Sequence, residues 1–292
     1  MKKKVIKTIM ILMVCLCLVT SYFIYISYYK VKVTNYEISS VKINNNINII
    51  MIADVHDHHC KVKNQIIDKI EQLNPDIILC VGDIIDNESE SDKNTIEFLD
   101  SLTEIADVYF SLGNHEFEYP DSKQLIEDIK NTGAKVLDKE YQDIAVNGNT
   151  IRIGGMYDYA FSQETGDIDQ ATMKNDVYSF LTEMKQTSSF QLMMAHRPDS
   201  FIFGNAYKWD FDLVVSGHYH GGQVILPYAG GLYAPELGWF PEVDYGHYKL
   251  KDMDMIVTRG ISSSNELFPR FNNPPEIVSI TLKAEEGGSY EQ

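Results

Sequence analysis

From residue 47 onward, short apolar runs alternate with segments of helical spacing. Residues 47–53, 77–81, 108–112, 190–195 and 213–216 are short, almost wholly apolar, and bounded by Gly, Asp or Pro. That is the pattern of strands covered on both faces. Between them, residues 62–73 place Ile66, Ile67, Ile70 and Leu73 on one stripe, and 95–105 do so with Ile96, Leu99, Leu102 and Ile105. Residues 124–131 predict a third helix, stopped by Gly133, and 178–184 a fourth. Strands alternating with helices predict an α/β sheet with helices on its faces. A second set of runs, 135–137, 141–146, 150–154, 255–258 and 276–282, has few helices among its members. It predicts a second, mixed sheet packed against the first.

The N-terminus follows another rule. Lys2, Lys3, Lys4 and Lys7 precede an uncharged stretch, 8–29, closed by Lys30. About 20 apolar residues suffice to cross a bilayer as a helix. Tyr22, Tyr25, Tyr28 and Tyr29 crowd the far end, where interfacial aromatics sit. The stretch exceeds the ~7–15-residue core of a cleaved signal peptide, and no small-x-small site follows it. The expected organisation is a cytoplasmic basic segment (1–7), a transmembrane anchor (8–29), a lead-in (30–46), one domain (47–283) and a tail (284–292). The basic cluster predicts a single-pass protein of the cell membrane, with its N-terminus cytoplasmic and its domain outside.

Composition narrows the partners. The chain is 44% apolar, enough for a real core. Its formal charge is −17, and since residues 1–30 hold five Lys and no acid, the remainder carries −22. Without a basic face, nucleic acid is not an expected partner. Cys15 and Cys17 fall in the apolar stretch, Cys80 reads as a buried small hydrophobe, and Cys60 lies beside a His cluster. Together they make no disulfide framework.

Five polar motifs each follow an apolar run: Asp54-Val55-His56, Gly82-Asp83-Ile84-Ile85-Asp86, Gly113-Asn114-His115-Glu116, Ala195-His196-Arg197 and Gly217-His218-Tyr219-His220. Ligands gather at the carboxyl ends of strands in open α/β sheets, so motifs distant in sequence would converge there. Asp with His suits Mn, Fe, Zn or Ni, whereas an all-oxygen set suits Mg or Ca. Two ions about 3.5–4 Å apart clamp a phosphoryl group and lower the pKa of a water between them. A lone Asp after a strand is ordinarily a turn or cap, and a lone His a packing group; the inference rests on the ordered set. His58 and His59 match no position in it and read as solvent-facing loop residues, His247 as structural or exposed.

The ordered set DxH, GDxxD, GNHE, H and GHxH resembles the calcineurin-like metallophosphoesterases over about residues 47–283. Segments 217–223 and 270–276 resemble the branch of small, membrane-associated bacterial phosphoesterases. The resemblance implies a four-layer α/β/β/α sandwich of two mixed sheets and two divalent metal ions, manganese first, with iron, zinc or nickel as alternatives. It implies Asp54, His56, Asp83 and His220 on the first ion. Asp83 would bridge to the second, completed by Asn114, His196 and His218. His115 is implied as a catalytic group rather than a ligand, Asp86 as its orienting partner, and Glu116 as support for the loop. The implied reaction is hydrolysis of a phosphodiester or pyrophosphate bond by metal-activated hydroxide. With the anchor, a lipid-linked or cell-envelope substrate is expected. A phosphomonoesterase or nucleotidase using the same site is the enzymatic alternative, and an inactive metal-bound scaffold the other. Many relatives carry Arg after the second Asp of GDxxD, where this chain has Asn87. A phosphate contact is therefore expected from Arg197, Arg259 or Arg270, with Arg270 preferred. The aromatic segment 228–245 reads as a substrate-side lip, a surface resting on the membrane, or a packed loop.

Overall fold

The computed structural model describes residues 2–57, 60–234, 236–262 and 269–285. His58, His59 and the tail beyond 285 lie outside the described residues. The N-terminal stretch is one 28-residue helix, α1 (Lys2–Tyr29), long and apolar enough to cross a membrane. There follow β1 (Lys32–Ser40), β2 (Ile47–Ile52), α2 (Lys63–Leu73), β3 (Ile77–Val81), α3 (Lys93–Thr103) and β4 (Asp107–Ser111). Next come α4 (Asn114–Glu118), α5 (Ser122–Asn131), β5 (Lys135–Leu137), β6 (Glu140–Val146), β7 (Asn149–Met156) and α6 (Asn175–Met184). Then come β8 (Phe190–Ala195), α7 (Asp199–Ile202) and β9 (Leu213–Ser216). Two small hairpins, β10 (Ile225–Leu226) with β11 (Gly230–Gly231) and β12 (Tyr233–Ala234) with β13 (Gly238–Trp239), lead to β14 (Gly246–Leu250), β15 (Met253–Val257) and β16 (Glu276–Ala284).

Among the described residues the longer strands form two six-stranded mixed sheets, ordered β1-β16-β2-β3-β4-β5 and β14-β15-β9-β8-β7-β6. Side chains alternate across each strand, which sorts the apolar runs into layers. Ile49, Met51, Leu79, Leu192, Met194 and Val215 point between the sheets. Ile50, Ile52, Ile78 and Cys80 point outward under α2, α3 and α5, against Ile66, Phe98, Leu99 and Ile129. Met193, Val214 and Met255 do the same under α6 and α7, against Val177, Leu181 and Phe201. The result is the four-layer α/β/β/α sandwich.

Two expectations change. Runs 190–195 and 213–216 belong to the second sheet, and 135–137 and 276–282 to the first. A run buried on both faces shows that a strand is central but not which sheet holds it. Here β7, β8 and β9 pair in parallel through their own helical crossovers, so the α/β alternation resumes in the second sheet. The lead-in also contains β1, which pairs in parallel with β16 from Lys32↔Glu276 to Ser40↔Ala284. Its polar, half-exposed side chains are those of an edge strand.

Candidate metal centre

The five motifs leave the carboxyl ends of β2, β3 and β4 in one sheet and β8 and β9 in the other, so both sheets deliver residues to one end of the sandwich. Backbone bonds continue beyond the strands and lock the first loops together: Asp54 N–H donates to Gly82 O and His56 N–H to Asp83 O, each at 3.1 Å. Three groups of converging ligand atoms result among the described residues: Asp54 with His56 and His220, Asp83 with His196 and His218, and His56 with Asp86 and His115. The first two adjoin, since His196 Nε2 lies 3.1 Å from Asp83 Oδ2 and 3.9 Å from Asp54 Oδ1.

Each imidazole is aimed from behind. His196 Nδ1–H donates to Val81 O (2.8 Å) and His220 Nδ1–H to Ser262 O (3.2 Å), placing the ring lone pair on Nε2 in both. His56 Nδ1 faces Asp86 Oδ2 at 3.4 Å. His218 is reversed: its Nε2 meets Glu236 Oε2 at 3.0 Å, leaving Nδ1 as the donor atom.

The electrostatics call for cations. His56 Nε2 and Asn114 Oδ1 are buried with no hydrogen-bond partner. Burial, reinforced by Asp83, pushes the Asp54 carboxyl up to about 7. Burial would also raise Asp83, but His196, with His115 and His56, holds it well below the usual carboxylate range. Burial alone would lower His196; Asp83 and Asp54 outweigh it and carry the imidazole up to about 9. Two fully buried carboxylates thus compete for one positive charge. Buried charge is tolerated where it is paired or coordinates metal, so this donor set fits divalent ions.

Strain is concentrated here. Asp54, His56, Asp83, His218 and His220 all have left-handed backbone, with φ of 52°, 42°, 53°, 70° and 47°. Side chains rarely adopt that region, at a cost of order 1–3 kcal/mol each, and such residues cluster at functional sites. Glu116 braces the arrangement. Fully buried, its Oε2 accepts from Asp83 N (2.8 Å) and Gly113 N (2.8 Å), and its Oε1 from Ile84 N (2.7 Å) and Ile85 N (3.2 Å).

His115 stands at the mouth, with its ring 4.5 Å from that of His56. Its Nδ1 accepts from Asn87 N–H (3.0 Å), so the ring proton sits on Nε2, 3.9 Å from Asp83 Oδ2. Asp86, expected to orient His115, lies 3.9 Å from its Nδ1 but closer to His56. The short turn after Asp86 presents the Asn87 amide to His115, and turns the Asp86 carboxylate toward His56.

Arg270 differs more. Its guanidinium is buried and donates to the carbonyls of Asn273, Arg259, Ser262 and Gly260 and to Asn273 Oδ1. A residue with its donors spent on backbone oxygens holds a loop together, which does not favour the substrate contact expected of it. Sequence reasoning missed Glu236, which touches His218 and lies 3.6 Å from Arg197. It also missed Asp57, whose Oδ1 accepts from Asp86 N–H (3.1 Å) and Ser89 Oγ–H (2.7 Å). Neither has a spacing signal; only Asp57's place beside His56 could have drawn notice.

Comparison with known proteins agrees with this geometry. A model of the calcineurin-like phosphoesterases matches residues 47–222. A metallophosphoesterase of Campylobacter jejuni is 29% identical over 198 residues, 67% of this chain and 49% of its own length. The chain thus spans about half of that relative. The phosphodiesterase YaeI of Escherichia coli is 27% identical, covering 80% of this chain and 81% of its own. A zebrafish transmembrane protein with a metallophosphoesterase domain is 22% identical, covering 86% and 57%. With its ligand groups paired at the strand ends and the family match running through all five motifs, the chain belongs to the calcineurin-like phosphoesterase family.

Proposed function

We propose that the chain is a membrane-anchored hydrolase of a phosphodiester or pyrophosphate bond, facing away from the cytoplasm, with a lipid-linked or cell-envelope substrate. The observation that carries the reaction is the pair of adjoining Asp/His groups, with His115 Nε2–H beside them. Asp54, His56, Asp83 and His220 would hold one ion, and Asp83, Asn114, His196 and His218 the other. Manganese is the proposed ion on this donor set, with iron, zinc or nickel as alternatives. When bound, the two ions supply Lewis-acid activation of water and neutralise phosphoryl charge. His115 holds its proton on the nitrogen facing the centre and is placed to donate to the departing oxygen. Asp86 steadies His56, and Glu116 holds the Asp83 loop against the GNHE loop.

The anchor is supported by the apolar helix α1 and its basic N-terminal flank, which by the positive-inside rule keeps that flank in the cytoplasm. The similarity to the E. coli phosphodiesterase and to the zebrafish transmembrane protein supports the same reading. Purified, manganese-loaded full-length protein should turn over bis(p-nitrophenyl) phosphate faster than p-nitrophenyl phosphate. His115→Ala should lower kcat about 100-fold or more, and Asp83→Asn should lose both activity and bound metal. Undiminished turnover in either variant would refute this mechanism. A preference for the monoester would favour a phosphomonoesterase.

A further inference from the structure

Beside the metal centre lies a cavity of about 350 Å³ that the proposed reaction does not use. Its lining includes Tyr157, Tyr159, Phe161, Ser162, Lys174 and Arg197. Arg197 directly follows the metal-group residue His196 and so joins cavity to centre. Its guanidinium carbon lies 5.3 Å from the Tyr157 ring and 5.4 Å from the Tyr159 ring. Nη1 donates to the Tyr159 hydroxyl, and Nη2 to the Tyr157 hydroxyl at 3.3 Å. Its Nε is buried with no hydrogen-bond partner.

The other arginines are committed elsewhere. Arg152 is bidentate with Asp143 at 2.7 and 2.8 Å. Arg270 is spent on carbonyls; Arg259 stacks on Tyr245 at 3.9 Å with its Nε 3.5 Å from Glu276, and does not line this cavity. Arg197 meets its nearest carboxylate, Glu236, only at 3.6 Å. A planar cation that is oriented by two rings and not neutralised by a bidentate acid suits a phosphate oxyanion.

We infer that Arg197 binds the substrate phosphate in place of the arginine absent at Asn87, and that the cavity behind it takes a polar, ring-bearing group carried on that phosphate. The inference rests on the phosphoesterase reading above. The cavity's walls select the class. Tyr157, Tyr159 and Phe161 offer aromatic faces to a ring. Asp158, Ser162, Gln163 and Lys174 offer hydrogen-bonding groups to hydroxyls or amides. An acyl chain would meet the Asp158–Lys174 ion pair and the Ser162 hydroxyl in place of an apolar wall, and would gain little there. A nucleoside and a sugar share the required chemistry.

The test is calorimetric binding to the metal-loaded, full-length protein in detergent, with thymidine 5′-monophosphate, ribose 5-phosphate and inorganic phosphate as probes. Both organic phosphates should bind at least tenfold more tightly than inorganic phosphate if ring and hydroxyls are read; a preference for thymidine over ribose phosphate assigns the cavity to a nucleoside. Arg197→Gln should weaken the organic phosphates at least tenfold, with Arg197→Lys intermediate, and Thr172→Phe, which puts a ring into the cavity that Thr172 also lines, should erase their advantage. On p-nitrophenyl thymidine 5′-phosphate, Arg197→Gln should lower kcat/KM at least tenfold, with Arg197→Lys intermediate. Equal binding by wild type and Arg197→Gln, or no advantage over inorganic phosphate, overturns the inference. Because the binding arm needs no turnover, an inert wild type that still binds through Arg197 would count against the hydrolase reading alone.

Discussion

Asp83 is held in place by its neighbours' lack of side chains as much as by its partners. A Cβ on Gly113 would lie 2.2 Å from Asp83 Oδ1 and 2.6 Å from Asp83 N. Gly82, at φ +76°, would meet His196 Nδ1 at 2.5 Å. Gly113→Ala should therefore displace the Asp83 carboxylate and lower both bound metal, read by elemental analysis, and kcat/KM, by about 100-fold for a shift near 1 Å. A stoichiometric, fully active Gly113→Ala would show that the loop yields freely. Glu116→Gln replaces a four-fold acceptor by an amide with donors facing donors. It should cost about 1–3 kcal/mol in urea unfolding of the metal-stripped protein; no change in midpoint would contradict the bracing role. At this scale the convergence of Asp, Asn and His side chains was legible, because each follows an apolar strand run. The partners of Asp86 and Arg270 were not, because a hydrogen-bond partner depends on sub-ångström loop geometry that spacing does not encode.

The end of β7, the β5–β6 turn and the start of α6 are tied together by charge as well as by apolar packing. Asp158, after β7, takes Lys139 from the β5–β6 turn at 2.9 Å and Lys174 from the start of α6, while Lys139 also reaches Asp176 at 3.2 Å. Burial would raise the Asp158 carboxyl, but Lys174 and Lys139 outweigh it and hold it below the ordinary value. A carboxyl lowered by folding stabilises the fold above its unfolded pKa of about 3.9 and loses that contribution as pH falls through the folded value. Asp158→Asn should therefore melt lower than wild type at pH 7, and the gap should close below about pH 4. A gap independent of pH would assign the loss to packing. Strands and helices were legible to within a few residues, since periods of 2 and 3.6 report burial locally. Sheet membership was not, and the edge strands β1 and β14 were not assigned: an edge strand buries one side weakly, and the partner of β1 in β16 lies more than two hundred residues away.

On the scale of the whole molecule, the apolar helix is docked to the domain. Asn273 N–H donates to Ser27 Oγ (3.1 Å), and the Phe23 and Phe271 rings lie 5.4 Å apart. The Asn273 side chain in turn donates to His220 O at 2.7 Å, so one residue touches both the helix and the loop of a candidate ligand. A chain starting at residue 31 should therefore melt several degrees lower than full-length protein in the same detergent, since 1 kcal/mol moves Tm by about 2–4 °C at this size. Asn273→Ala should lower activity in the full-length protein. Identical melting of the two lengths would make the helix a passive tether. The sequence by itself determined the ordered set of candidate ligands, the alternation of elements, the apolar helix and the family, because each is written in local residue type and period. Only the tertiary structure decided which strands share a sheet, that Arg270 is a buried strut, that Arg197 faces a cavity, and that α1 leans on the metal loop. These depend on contacts between residues far apart in the chain, which close packing resolves and local pattern cannot.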